Sequence, residues 1–460
     1  MSKSMYLPGF SHRLAGRRTG AVAGNFQRRT HRLDGLAALV ARFIPAELFA
    51  PGEAQRQRIY TPWVTFIAFL GQVLTRGSAC REAVRRVQAW CVAGRRPAPD
   101  ESTSAYCQAR ARLPLETLRA AHEELGGWIE RHAKEAWRWC GREVKVIDGC
   151  GLSMPDTAEN RAQWPYAGGQ KPGCGFPTAQ MVGLFCLATG RLVRFALEAW
   201  KAHEIPLARQ LIAWMQPGEI VLADRGFCGW GLIALLQRKG VDVVMRAHQA
   251  RKLKGRRMTW AKPQRAETWT QSLWAELPAE IAVRIVRFHV AVPGFRTQEV
   301  ALVTTLLDEK AYPDEALAAL YRRRWAVELC FRDIKTTLGL DVLRCQTPDL
   351  VEKEIWLQAI AYNLVRALML EAAWTHSVEL ERLSFKGTVD TLRQWTPLFA
   401  PSMFAFKRAR AELLRVIAAD PVPLRPNRSE PRARKRRPKS YQMLTRPRHQ
   451  MVVSPSRAKK

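Results

Sequence analysis

From Leu36 to about Trp139, apolar residues recur at spacings of three and four, the period of helices packed on one side. Trp63 to Thr75, Ala79 to Trp90 and Leu115 to Trp139 are the clearest segments, separated by turn material at Gly94 and from Pro97 to Ser104. The period then changes. Glu143 to Asp148 alternates as a strand, which the glycines at 149 and 151 are expected to break. Ala179 to Thr189 and Leu192 to Trp200 predict two more strands joined at Gly190. A helix over Ile205 to Met215 and a strand over Glu219 to Asp224 follow. Next come a helix over Trp230 to Lys239, capped by Gly240, and a strand over Val241 to Arg246. Three strands and then alternating helix and strand describe a mixed α/β sheet.

Residues 247–299 interrupt that rhythm. Basic loops (Arg251, Lys252, Lys254, Arg256, Arg257) and three tryptophans (Trp260, Trp269, Trp274) precede strand alternation over Ala282 to Val292, so this segment reads as a small β-rich insertion. Val300 to Leu307 returns to strand character, and a long helix is predicted from about Pro313 to Leu338, ended by Gly339. Ile355 to Trp374 is apolar but carries Gln358, Asn363, Arg366 and Glu371. A membrane span needs about 20 mostly apolar residues, so this is expected to be a core helix. The chain therefore divides into a basic arm (1–35), a helical region expected to bind DNA (36–141), and a first part of the core (142–246). The insertion (247–299), a second part of the core with the long helix (300–400), and a C-terminal helix with a basic arm (401–460) complete it.

Charge sharpens the picture. The chain holds 73 Lys and Arg against 41 Asp and Glu, a net charge of +32, in an otherwise ordinary globular composition. An excess that large points to a polyanionic partner, nucleic acid first. Residues 421–460 alone carry a net +12, with Arg432, Arg434, Lys435, Arg436, Arg437 and Lys439 set among prolines that forbid a long helix. An extended, phosphate-binding arm is expected there. Ten cysteines without any Cys-x-x-Cys spacing weigh against a disulfide framework or a zinc site. No secretory segment is visible, so a cytoplasmic protein without a membrane partner is expected.

Acidic residues stand out on this basic background. Asp148 and Asp224 each end a predicted strand, where α/β sheets place their ligands, although Asp also commonly opens turns. On the long helix, Tyr321, Arg324, Glu328 and Lys335 fall near 0°, 300°, 340° and 320°, within about one 60° sector beside the apolar stripe. An exposed Arg–Glu pair, worth about 0.2–0.5 kcal/mol, would account for Arg324 and Glu328 but not for the other two. Three carboxylates brought together would hold one or two divalent cations. Two such ions can activate a water or a 3′-hydroxyl and stabilise the leaving oxygen of a phosphoryl displacement.

The spacing Tyr321-x2-Arg324-x3-Glu328-x6-Lys335 resembles the Tyr-Arg-Glu-Lys signature of the insertion-sequence 4 family of bacterial DDE transposases. Ile147-Asp148-Gly149 and Ala223-Asp224-Arg225-Gly226-Phe227 are similar to that family's first and second Asp motifs. The resemblance implies an RNase H-like core in which Asp148, Asp224 and Glu328 hold Mg2+, with Mn2+ able to substitute. Tyr321, Arg324 and Lys335 would bind DNA phosphates. It also implies cutting at inverted-repeat ends, often through a hairpin, joining to target DNA, and a dimer in the synaptic complex. A tryptophan of the insertion would stack on a flipped base; Trp260, Trp269 and Trp274 are the candidates. One departure is Cys150 after the first motif, where many members carry a hydroxyl residue; here the first is Ser153. Two other readings are a nuclease without strand transfer and a catalytically silent DNA-binding descendant. Inverted repeats flanking the gene would separate a mobile element from a domesticated copy.

Overall fold

The computed structural model describes residues 32–423 apart from 51–58, 167–172, 201–202, 249–250, 252, 254, 291–297 and 400–402, together with 444, 447 and 450. Most of both basic arms therefore lies outside the described residues. Five helices come first: α1 (Arg32–Val40), α2 (Pro62–Val73), α3 (Cys80–Ala93), α4 (Ser104–Arg112) and α5 (Leu115–Arg131). The start of α2 shows why the chain turns helical there: the Thr61 hydroxyl accepts the Val64 N–H at 3.2 Å, and Pro62 needs no donor at the first position.

The central region runs β1 (Val144–Ser153), α6 (Ala158–Gln163), β2 (Thr178–Cys186), β3 (Leu192–Ala199), α7 (Glu204–Leu211), β4 (Ile220–Ala223), α8 (Trp230–Arg238) and β5 (Asp242–Arg246). It continues through β6 (Arg257–Ala261), α9 (Gln271–Ala275), β7 (Glu280–Val290), β8 (Gln298–Thr304), α10 (Asp314–Arg322) and α11 (Trp325–Arg332). Three helices follow: α12 (Pro348–His376), α13 (Phe385–Trp395) and α14 (Met403–Ala418). All eight strands form one sheet in the order β3-β2-β1-β4-β5-β8-β7-β6. β1 to β3 are antiparallel neighbours, while β4 runs parallel to both β1 and β5. That five-strand arrangement is an RNase H-like core. Strands β6 and β7 of the 247–299 segment join the same sheet through β8, so the segment extends the core.

The sheet is covered on both sides. Val146, Leu222 and Val244 face a core shared with α12 and the N-terminal helices, while Ile147, Val221 and Val243 face α7 and α8. Helix α12 is buried nearly all round, as its apolar sequence requires. Two of its polar residues are paired across the core: Asn363 exchanges hydrogen bonds with the Leu192 backbone at 2.9 and 3.0 Å, and Glu371 meets Arg42 and Arg410. Among the described residues no helix is long and apolar enough to cross a membrane, and the cysteines carry no disulfide.

Two expectations change. β1 does not stop at Gly149; it continues to Ser153, paired with β2 throughout. A glycine inside a strand marks a close approach: a Cβ at Gly149 would overlap the Glu204 carboxylate, and one at Gly151 would lie 2.5 Å from the Trp200 ring. The long helix is also not uniform. Between α10 and α11 the backbone bonds tighten to i+3 (Arg324 N–H to Tyr321 O, 3.0 Å; Val327 N–H to Arg324 O, 3.0 Å), and Asp333–Leu338 widens into a π-turn ended by Gly339 at φ +95°. Arg324 keeps helical dihedrals (φ −51°, ψ −31°), so the side-chain period barely registers the break. Tightening and widening rotate the chain in opposite senses and leave the four signature residues on one side.

Candidate active site

The parallel pairing of β1 with β4 ends at Val146 and Leu222. Asp148 therefore lies two residues beyond the last pair, and Asp224 follows β4 directly. By strand alternation both side chains share the face of Val146 and Leu222, on which α11 packs. Each is aimed by the backbone just after it: Asp148 Oδ1 accepts the Gly149 N–H at 2.9 Å, and Asp224 Oδ1 accepts the Gly226 N–H at 2.8 Å.

The helix meets them through Arg324. Its Nη2 donates to Glu328 Oε1 at 3.1 Å, and its Nη1 lies 3.9 Å from Asp148 Oδ2. This arginine is only 9 % exposed, so it joins the two acids from beneath the surface. Tyr321 is buried with its ring 5.8 Å from the Arg324 guanidinium. Burial pushes its phenol up to about 12, so it stays a neutral donor at physiological pH. Lys335 donates to the Gly151 carbonyl at 3.2 Å, three residues past Asp148. All six residues of interest thus converge on the end of β1 and β4.

Their charges are only partly balanced. Burial, with smaller contributions from Asp224 and Glu328, pushes the Asp148 carboxyl up to about 6, against the Gly149 N–H and Arg324. Among the described residues no three acids, histidines or cysteines stand at metal-ligand spacing, and Arg324 lies between two of the three carboxylates. The donors nevertheless suit a hard divalent cation: they are carboxylate oxygens, and the Asp148 charge is only partly compensated. The insertion tryptophans are less available. Trp269 is buried against Trp274, which also meets Trp230, and both rings pack on Gly231; Trp260 is half-buried with Arg251 4.9 Å above its ring.

Residues 139–364 match the family model of the transposase DDE domain, and that span holds all six residues. The transposase InsG of insertion sequence element IS4 from Escherichia coli (strain K12) is 28 % identical over 401 residues, covering 81 % of this chain and 84 % of the relative. The chain is a transposase with a DDE domain, similar to those of the insertion-sequence 4 family. A transposase of insertion sequence element IS421 from Escherichia coli is 39 % identical over 64 residues, 14 % of this chain and 17 % of the relative. Among solved structures, the piggyBac transposase synaptic complex with hairpin DNA matches 88 % of this chain and 86 % of that chain, at 10 % identity and a TM-score of 0.39.

The transposase is a DNA-binding and DNA-cleaving enzyme of a class that uses a divalent metal. Its structure also brings to the site residues that no motif marked. Glu204, at the first turn of α7, reaches Gly149 and Gly226 from the other side of the sheet, and Gln180 of β2 donates to it at 2.8 Å. Trp200 lies on Gly151 and is 40 % exposed; Trp325, one residue past Arg324, is 54 % exposed. The signal that could have found Glu204 and Trp200 was the pair of glycines inside β1.

Proposed function

We propose that this transposase cuts double-stranded DNA at the inverted-repeat ends of a bacterial insertion sequence and joins the freed 3′-hydroxyls to target DNA. Asp148, Asp224 and Glu328 hold Mg2+, or Mn2+ in its place. When bound, the metal polarises the scissile phosphate and lowers the pKa of the attacking water or hydroxyl. Arg324 keeps Asp148 and Glu328 oriented toward each other and neutralises part of their charge. Lys335, anchored to β1 beside Asp148, and Tyr321, a buried neutral donor, hold phosphates next to the scissile bond. The helical region 36–141 and the basic arms add sequence-independent contacts to the DNA backbone. Two protomers pair the two ends, and the reaction takes place on the bacterial nucleoid in the cytoplasm.

The observation that carries this reading is the meeting of Asp148 and Glu328 on one buried arginine, across 180 residues of sequence. The test is cleavage of labelled duplex carrying the DNA that flanks the gene, with Mg2+. Wild type should cut at the element boundary and Asp148→Asn should bind without cutting. Binding without cutting by both proteins would contradict the proposal.

A further inference from the structure

Glu204 is out of place for a structural acid. It belongs to the layer beneath the sheet: Leu207, Ala208 and Leu211 of α7 pack against Ile147 and Val221, the face opposite Asp148. Yet its carboxylate rises to the level of the acids. It can do so because Gly149 has no side chain and β1 outruns β4 there, leaving a gap in the sheet. A Cβ at Gly226 would lie 3.6 Å from Glu204 Oε2 and 3.1 Å from Asp224 Oδ1, so the Glu204 and Asp224 carboxylates flank the same backbone.

The surroundings of Glu204 do not neutralise it. Gln180 holds Oε1 at 2.8 Å, and no Lys or Arg forms an ion pair with it among the described residues of a chain with 73 such cations. Asp224 and Asp148 are its charged neighbours, and both act in the unfavourable sense, added to burial. A fold gains nothing from holding a third carboxylate against two others. A divalent cation gains from it, because a carboxylate just outside the direct ligands accepts hydrogen bonds from metal-bound water and deepens the local negative potential.

We propose that Glu204 is a positioning residue of the transposase active site: held by Gln180 in the gap over Gly149, its carboxylate sets how tightly the Asp148–Asp224 pair binds a divalent cation. This rests on the reading of Asp148 and Asp224 as the metal-holding acids, and the experiment separates the two.

Mn2+ binding to the full chain, without DNA, is measured by calorimetry for wild type, Glu204→Gln, Glu204→Asp, Gln180→Ala and Asp148→Asn, with thermal melting as the check on folding. Glu204→Gln should melt no lower than wild type and bind Mn2+ about 10–100-fold more weakly. Glu204→Asp, which keeps the charge, should fall between. Gln180→Ala should weaken binding when Glu204 is present and add nothing to Glu204→Gln, since it acts through that carboxylate. Wild-type affinity in Glu204→Gln alongside lost binding in Asp148→Asn would overturn the proposal and leave the metal-site reading standing. Wild-type affinity in Asp148→Asn would overturn both.

Discussion

Strands β1 and β4 carry two acid-bearing ends that the fold treats in opposite ways. At one end Lys145 and Glu219 are both buried and fully matched: Nζ meets Glu219 Oε1 at 2.6 Å and the Trp214 carbonyl at 3.1 Å, while Oε2 accepts the Gln216 N–H at 2.9 Å. At the other end, three residues along β1, Asp148 faces Asp224 and Glu328 with the Gly149 N–H and the Arg324 guanidinium, 3.9 Å away, as partial compensation. Helix α7 spans both, with Glu204 at its start and Trp214 just past its end. The matched end is where the sheet is held together. The mismatched end is where charge is left for something that arrives later, as perturbed carboxylates at functional sites generally indicate.

This contrast can be broken or sharpened by substitution, from the largest effect down. Asp148→Asn should abolish cleavage of transposon ends in a gel assay while leaving end binding intact, because the basic surface is untouched. Lys145→Met should do the reverse: it strands a buried Glu219 and should cost about 3–5 kcal/mol in denaturant unfolding, with cleavage by the remaining folded protein preserved.

The third effect is a dependence on pH. Asp148 binds its proton more tightly folded than unfolded. The stability it contributes to the metal-free protein is therefore fully present below the ordinary carboxylate range, near 4, and is lost as pH rises through about 6. The loss should be on the order of 1–3 kcal/mol and should be absent in Asp148→Asn when stability is followed from pH 4 to 7. Lys335→Ala should have the smallest effect on folding, about 1 kcal/mol for one hydrogen bond, but should slow cleavage at the end. An unchanged rate would return Lys335 to a purely structural tie between helix and strand.

Much of this was legible in the chain. The strand pattern placed β3, β4 and β5 to within a residue at each end, because these strands bury side chains on both faces and one-residue slips would turn the cores outward; β1 runs five residues further than its pattern suggested, and β2 ends three residues sooner. The four-residue spacing on the long helix located Arg324 and Glu328, and the structure adds that Arg324 is buried and reaches Asp148. What escaped was whatever depends on contacts between distant segments. Gly149 and Gly151 look like strand breakers from their neighbours alone, yet they are strand residues over which Glu204 and Trp200 lie. The tightened turn at Arg323 and Arg324 keeps helical dihedrals and so leaves no mark on periodicity. Nothing in the sequence chooses among Trp260, Trp269 and Trp274; it is Gly231 of α8 that offers a flat seat for the Trp269 and Trp274 rings.

The most direct test of the central claim is the melting temperature of wild type and Asp148→Asn at neutral pH, each with and without Mg2+. Without metal, removing an uncompensated charge should make Asp148→Asn melt higher than wild type. With metal, wild type alone should rise, narrowing or reversing the order. A variant that melts lower than wild type without metal, or that gains as much from Mg2+, would show that Asp148 is a structural acid and that the two ends of the sheet do not differ as argued.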